Sequence, residues 1–312
     1  MTVKVIEANP GLEGLARLTA NVPYKQVDGV TLTMDVLTPQ MAETPESMAS
    51  DRRFPLVVFV QGSAWTTPDR GYEIPQLSQL ARRGFVVASV GHRDAKQGHP
   101  FPAFLEDVKS AIRFLRAHAA RFHADPDRVG IWGTSSGGNT ALLVALTAGD
   151  ARYDDGLNPG VSDGVGWTVA CFPPTDIPEL IATSPLNVTD ADDEYVPEEQ
   201  RAKDARHTNA MACVLGVDLH ADPAEYAEAA RAMSPCLIAR AGRNLGPFLL
   251  LHGDADTLVP FDQSVRMDDR LRDLGYDSRL VRVHGAEHES TFWSQTVLDE
   301  IFRFIEGVEG GR

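Results

Sequence analysis

The run Gly133-Thr134-Ser135-Ser136-Gly137-Gly138 sets a serine among glycines, directly after the apolar stretch 128–132 and directly before a helical pattern at 136–148. A side chain carried on a strand-to-helix turn of this kind is lifted clear of the sheet, and small neighbours let the turn be tight. Ser135 has a glycine two residues before it and another two residues after it, and Ser136 does not. Ser135 is therefore the expected nucleophile and Ser136 the expected source of a backbone N–H, with the reverse assignment left open. The chemistry such a hydroxyl can do is attack on a carbonyl carbon. A serine hydroxyl attacks poorly until a base takes its proton, so a histidine must lie within reach, oriented by a carboxylate.

Behind an elbow of this type the acid and then the histidine follow the serine along the chain. LLLHGDADTLVP offers Asp254 and Asp256 just past an apolar run, and VRVHGAEHES offers His284 and His288 past another. Asp254 follows its strand so closely that it is expected to shape the turn with Gly253, which favours Asp256. His284 still belongs to a strand end, whereas His288 stands on a loop that can swing back toward the serine. His118, His123, His207 and His220 are expected in solvent, and His252 as a core or loop-ordering residue.

Attack on a carbonyl also needs N–H donors aimed at the oxygen that becomes negative, each worth roughly 3 to 4 kcal/mol at comparable sites. Gln61-Gly62-Ser63-Ala64-Trp65 follows the apolar run LVVFV and has small residues where backbone must come close. Ser63 or Ala64 is expected to be the main donor, joined by Ser136.

These residues need elements to hold them. The alternating pattern at 31–37 reads as a half-buried strand near a sheet edge, and 56–60 as a strand covered on both faces. Further strands are expected at 85–90, 128–132, 166–172, 247–252 and 278–283, with helices at 74–83, 102–121, 136–148, 263–274 and 292–306. On the second of these helices Phe104, Val108, Ile112, Leu115 and Ala119 recur on one face. Strands alternating with helices imply an α/β fold, a mostly parallel twisted sheet with helices on both faces, and ligands at the carboxyl ends of its strands. The stretch 173–246 breaks the rhythm with tandem prolines, an acidic run from Asp190 to Glu199 and a short helix near 224–232. An excursion of that length inside a domain is usually functional. It is expected to be a cap-like insertion on a single domain spanning 1–312, and the acidic run within it a solvated face.

The 312 residues are 43% hydrophobic and carry a formal charge of -15, which repels nucleic-acid phosphates and anionic lipid and leaves a neutral small molecule as the easier ligand. No stretch approaches the roughly 18 apolar residues of a membrane span, and MTVKVIEANPGLEGL lacks the pattern of a signal peptide. Cys171, Cys213 and Cys236 are odd in number and far apart, the usage of a reducing, cytoplasmic compartment. None has metal-ligand spacing, so neither metal nor cofactor is expected. Homo-oligomer formation stays open.

Taken together, VVFVQGSAW, RGFVVASVGHR, FPAFLEDVKSAIRFLRAHA, DPDRVGIWGTSSGG, HGDADTLVP and GAEH resemble the α/β-hydrolase esterases related to hormone-sensitive lipase. They are more similar still to the bacterial carboxylesterase and feruloyl-esterase-like group, over roughly 30–305. The resemblance implies an α/β-hydrolase fold, a triad of Ser135, Asp256 and His288, and hydrolysis of carboxylic esters through an acyl-enzyme. That family usually writes the loop after the early strand as His-Gly-Gly-Gly-Trp. Here Gln61 replaces the histidine and Ser63 and Ala64 replace two glycines, so the Ser63 side chain is expected to narrow the acyl pocket or to add a hydrogen bond. Gly62, Trp65, Phe101 and Phe172 are the expected substrate-lining residues, for short-chain or aromatic acyl groups, with core packing the competing reading for Phe101 and Phe172. The other readings are a serine peptidase of the prolyl-oligopeptidase type and a non-catalytic ligand-binding protein on the same scaffold.

Overall fold

The computed structural model describes residues 3–42, 51–183, 210–217 and 222–311. The strands are β1 (Ala16–Val27), β2 (Val30–Pro39), β3 (Phe54–Val60), β4 (Val86–Val90), β5 (Ala124–Thr134), β6 (Thr168–Cys171), β7 (Phe248–Gly253) and β8 (Ser278–Val283). The helices are α1 (Ile74–Arg82), α2 (Ala103–Ala117), α3 (Ser136–Leu146), α4 (Ile177–Thr183), α5 (Ala210–Leu215), α6 (Pro223–Ala232), α7 (Pro235–Ile238), α8 (Asp262–Asp273) and α9 (Gln295–Gly310).

The strands form one sheet in the order β1-β2-β4-β3-β5-β6-β7-β8. Every pairing from β4 to β8 is parallel, and only β1 with β2 and β2 with β4 run antiparallel. This is the mostly parallel sheet that the alternation of elements implies, in the α/β-hydrolase arrangement that the resemblance implies. The central strands are buried at every residue of β3, β4 and β7, because both sheet faces are covered. Successive side chains on a strand point to opposite faces. Leu56, Val58 and Val60 accordingly pack with α2 and α3, while Val57 and Phe59 pack with α1 and α9. Leu250 on β7 meets Met267 and Leu271 of α8.

One strand has no counterpart in the sequence reading. β1 lies at the sheet edge, mostly exposed, with register shifts between Thr19 and Val22 and between Pro23 and Lys25. Pairing on one side only, it needs no sustained apolar pattern and shows none.

Within 173–246 the described residues form α4 to α7. Both roots of this excursion are tied to the helix that follows the elbow. Asn139 of α3 donates through Nδ2 to the carbonyls of Pro174 (2.9 Å) and Met233 (3.1 Å). Gln263 Oε1 accepts the N–H groups of Thr175 and Asp176, and Ser234 Oγ accepts that of Ile177. Farther out, α5 is fastened to the body by the Phe101 N–H, which donates to the Val214 carbonyl at 2.8 Å. The acidic run Asp190 to Glu199, His207 and His220 lie outside the described residues.

Candidate active site

Ser135 sits between β5 and α3 with φ 50° and ψ -123°, a backbone conformation disfavoured for any residue with a Cβ and costing on the order of 1–3 kcal/mol. Its neighbours explain how the turn closes. A Cβ added at Gly133 would lie 2.1 Å from the Gly137 carbonyl oxygen, and one at Gly137 would lie 2.0 Å from that of Val60. The turn is anchored by the Ser135 N–H, which donates to the Cys171 carbonyl at 2.9 Å.

Three side chains distant in sequence meet above the strand ends. Ser135 Oγ lies 2.9 Å from His288 Nε2, and His288 Nδ1 lies 2.6 Å from Asp256 Oδ2. With the carboxylate accepting from Nδ1–H, Nε2 is left unprotonated to accept from the serine hydroxyl, the tautomer a general base requires. Asp256 is heavily supported: its Oδ1 accepts the N–H groups of Leu258 and Val259, both at 2.9 Å. Burial pushes its carboxyl up, but hydrogen bonds from His252 and His288 outweigh this and hold it well below the ordinary aspartate value. The residue stays ionised in its pocket.

Asp254 and His284, the competing pair, are brought together elsewhere. His284 Nδ1 lies 2.9 Å from Asp254 Oδ2, and the imidazole is 89% exposed. Asp254 also accepts the Gly285 N–H, so it shapes a surface turn, as its position next to Gly253 implies. Ser136 Oγ is bonded to the Ser63 N–H and not to His288, which leaves Ser135 in the nucleophile's place.

The loop after β3 lies across the elbow. Gly62 N–H donates to Thr134 Oγ1 at 2.8 Å, and a Cβ on Gly62 would fall 2.8 Å from Ser135 Cβ. Gly62 is thus packed against the elbow instead of facing a substrate. Ser63 to Thr66 then close a turn in which Thr66 N–H and Oγ1–H both donate to the Ser63 carbonyl. Ala64 (φ 49°) and Trp65 (φ 59°) take left-handed backbone within it. Two expectations for Ser63 change. Its side chain turns inward and donates to the Thr66 carbonyl, so it neither narrows a pocket nor offers a hydrogen bond to a ligand, and its N–H already donates to Ser136 Oγ at 2.9 Å. Among the described residues no acceptor takes the N–H of Ala64 or of Ser136. Those two are the donors free to meet an oxyanion. Gln61 orders the same loop by accepting the Asp69 N–H at 2.8 Å.

Two of the expected lining residues belong to the core. Phe172, for which the sequence leaves pocket and core both open, is fully buried and stands edge-on to His288 with ring centroids 4.7 Å apart. It also packs on Phe292 and Trp293, forming a bed beneath the imidazole. Trp65 is only 5% exposed and leans on Phe104 in the core. Phe101 is half-buried between Phe104 and Tyr153.

One residue expected in the core or as a loop orderer takes that place at the site, and another escaped the sequence reading. His252 is buried, with Nδ1 2.7 Å from Ser264 Oγ and Nε2 2.8 Å from the Val259 carbonyl. It orders the loop that carries Asp256. Its position before Gly253 signalled a loop-ordering residue but not which loop. Glu289, next to His288, takes φ 60° and accepts the Trp293 indole N–H at 2.9 Å. A glutamate after a histidine has no signal in sequence that separates it from a solvated one.

Among the described residues, no cluster of three or more His, Cys, Asp or Glu side chains is placed to hold a metal ion, and no helix is long and apolar enough to cross a membrane. Cys171, Cys213 and Cys236 are free thiols.

Known proteins similar to this chain include esterases by name. The BD-FAE family model matches residues 42–271, a span that includes Ser135 and Asp256 and ends before His288. Esterase LipC of Mycobacterium tuberculosis is 32% identical over 221 residues, covering 70% of this chain and 48% of its own length. A probable isoprenylcysteine alpha-carbonyl methylesterase of Arabidopsis thaliana, ICMEL1, is 26% identical over 264 residues, covering 80% of this chain and 49% of its own. The chain spans about half the length of the curated relatives it matches. Among solved structures, a truncated carbohydrate esterase from gut microbiota superposes with TM-score 0.75 at 23% identity, covering 97% of this chain and 100% of that one. A butyrate-bound esterase, Est2, of Thermogutta terrifontis superposes with TM-score 0.68 at 23% identity, covering 96% of each chain. Those two likenesses establish the shared fold.

Proposed function

The chain belongs to the BD-FAE family, and from that premise we propose that it is a carboxylesterase-type serine hydrolase, cleaving a small-molecule ester through an acyl-enzyme. The observation that carries the reading is the unbroken relay from Ser135 Oγ through His288 to Asp256, at 2.9 and 2.6 Å. Relatives named esterase and carboxylic ester hydrolase support it.

In this reading Ser135 Oγ bonds to the ester carbonyl carbon as its proton passes to His288 Nε2. The carbonyl oxygen becomes an oxyanion facing the Ala64 and Ser136 N–H groups. The imidazolium, stabilised by Asp256, returns the proton to the departing alcohol as the ester C–O bond breaks. Water, deprotonated by the same imidazole, then attacks the acyl-enzyme, and release of the acid restores the serine hydroxyl. Asp256 fixes the ring and its charge without itself taking the proton.

The same reading treats 173–246 as a cap over the site on a single domain, and takes neutral esters with short-chain or aromatic acyl groups as substrates, in keeping with a chain of charge -15. Nucleic acid is not a partner in it. The free thiols fit a cytoplasmic setting, and gel filtration decides whether copies pair. The test is hydrolysis of chromogenic acetyl, butyryl, octanoyl and feruloyl esters by the wild type and by Ser135→Ala. The wild type turns over at least one of them and the variant none; equal rates would refute the assignment.

A further inference from the structure

Ser136 carries a hydroxyl whose place in the site the relay does not use. The residue is 2% exposed, and its Oγ accepts the Ser63 N–H at 2.9 Å. A hydroxyl has one proton to donate besides the lone pairs it accepts with, and among the described residues nothing accepts the Ser136 proton. A buried polar proton without an acceptor is rare and calls for a partner that arrives later.

The position of this group is informative. Ser136 is the first residue of α3 and directly follows the nucleophile, while Ser63 directly precedes Ala64, whose N–H is free. The Ser136 oxygen therefore lies between the two main-chain segments that face the developing oxyanion. Holding those segments together does not by itself require this bond, because the Gly62 N–H already ties the same loop to Thr134 Oγ1 at 2.8 Å. Nor does the hydroxyl cap α3, since the residue before the helix is Ser135 and no side chain caps it.

We propose that the Ser136 side-chain hydroxyl is a third oxyanion donor, turning its free proton to the tetrahedral oxygen while its own oxygen keeps the Ser63 N–H. The inference rests on the esterase reading and deepens it. The Ser63 amide, lost as a direct donor, then acts through Oγ: accepting its N–H polarises the hydroxyl and makes it a stronger donor. No atom is transferred; the proton stays on Ser136 throughout. The group touches the reacting oxygen and is a catalytic residue in that sense.

The experiment compares the wild type with Ser136→Ala and Ser136→Thr, measuring kcat, KM and the inhibition constant of a trifluoromethyl ketone that forms a tetrahedral adduct on Ser135. Circular dichroism and melting confirm that the variants fold. Because the Ser63 amide is freed to compensate in part, Ser136→Ala is expected to lower kcat about 10- to 100-fold, at or below the low end of the roughly 100- to 1000-fold loss seen when one oxyanion-hole donor is removed. Inhibitor affinity falls by a similar factor, KM changes little, and Ser136→Thr recovers most of both losses. A Ser136→Ala enzyme as fast as the wild type or faster, or one that loses kcat with inhibitor affinity intact, overturns the donor role. The two readings fail differently: a wild type that hydrolyses no ester overturns the esterase assignment and this inference with it, whereas an active wild type matched by Ser136→Ala overturns this inference alone.

Discussion

His252 Nε2 lies 3.3 Å from Asp256 Oδ2, the same carboxylate oxygen that accepts from His288 at 2.6 Å. Two imidazoles thus converge on one buried oxygen, one facing the serine and the other facing the core. His252 also holds Ser264 and the Val259 carbonyl, so it connects the start of α8 to the loop that aims the acid. His252→Gln is expected to destabilise the protein by roughly 1–3 kcal/mol, the range for leaving buried polar partners unsatisfied. In the variant that still folds, kcat falls about tenfold with KM nearly unchanged, because the ester does not touch His252 and only the orientation of the relay is loosened. Chemical denaturation and steady-state kinetics on one ester check both halves.

The two aspartates of the Asp-Ala-Asp turn should separate cleanly. Asp256→Asn keeps the shape but removes the charge that selects the His288 tautomer, and is expected to lower kcat by about three to four orders of magnitude, as at comparable triads. Asp254→Asn weakens an exposed pair with His284, of the solvent-screened kind that adds little to stability, and leaves kcat within about twofold. Parallel assays of the two variants on a butyryl ester check this, and a matching loss in Asp254→Asn would contradict the placement of His284 outside the relay.

Gly62→Ala tests how closely the two loops must approach. The added methyl meets Ser135 Cβ at 2.8 Å and the Thr134 carbonyl oxygen at 2.9 Å, and the loop has to retreat for it to fit. Retreat pulls the Ala64 amide away from the oxyanion before it disturbs the core. The expected outcome is a folded protein, about 1–3 kcal/mol less stable as for other overpacked sites, whose kcat is reduced 100-fold or more. Melting curves and labelling by a fluorophosphonate, read beside kcat, separate displacement of the loop from collapse of the elbow.

Glu73 makes stability depend on pH. It precedes α1, is 1% exposed, and both of its carboxyl oxygens are buried with no hydrogen-bond partner among the described residues. Burial, with the charges of Glu289 and Asp69 adding to it, pushes the carboxyl from 4.5 up to about 8. Glu289 is itself raised by burial, against the hydrogen bond from Trp293 and the pull of His288 and with the push of Asp256. A carboxyl raised on folding favours the folded state in its neutral form. Its contribution is complete below about pH 4.5, shrinks as pH climbs, and is gone once pH passes about 8. Glu73→Gln, neutral at every pH, should match the wild type's melting temperature near pH 4.5 and exceed it at pH 9. A wild-type-minus-variant difference that does not change with pH would contradict this.

The sequence exposes most of what the backbone dictates and less of what tertiary approach decides. The order of β3 through β8 follows from apolar runs bounded by turns, and helix α2 from the spacing of Phe104, Val108, Ile112 and Leu115, because burial on one or two faces imposes periodicity. The elbow was legible for a related reason: glycines at 133 and 137 stand at a fixed local spacing about Ser135, although only the clash at Gly133 is local, with the Gly137 carbonyl, and the one at Gly137 is with the Val60 carbonyl of the neighbouring strand. Strand β1 was not legible, since an exposed edge leaves residue types unconstrained. Phe172 stays open between pocket and core in the sequence because a strand end can deliver its last aromatic either to solvent or to the core, and a φ of 39° sends it under His288. The Ser63–Ser136 bond joins residues 73 apart, and nothing in either serine's neighbours announces it.

Asn139 gives the excursion at 173–246 a property of its own. By gripping Pro174 and Met233 with one amide group, it brings the outgoing and returning chain to a common hem, so the stretch leaves and rejoins the body at a single point. A change of length beyond that hem would leave the register of every strand as it is. The elbow and its relay keep their place through any such change, as a tool keeps one handle through many blades.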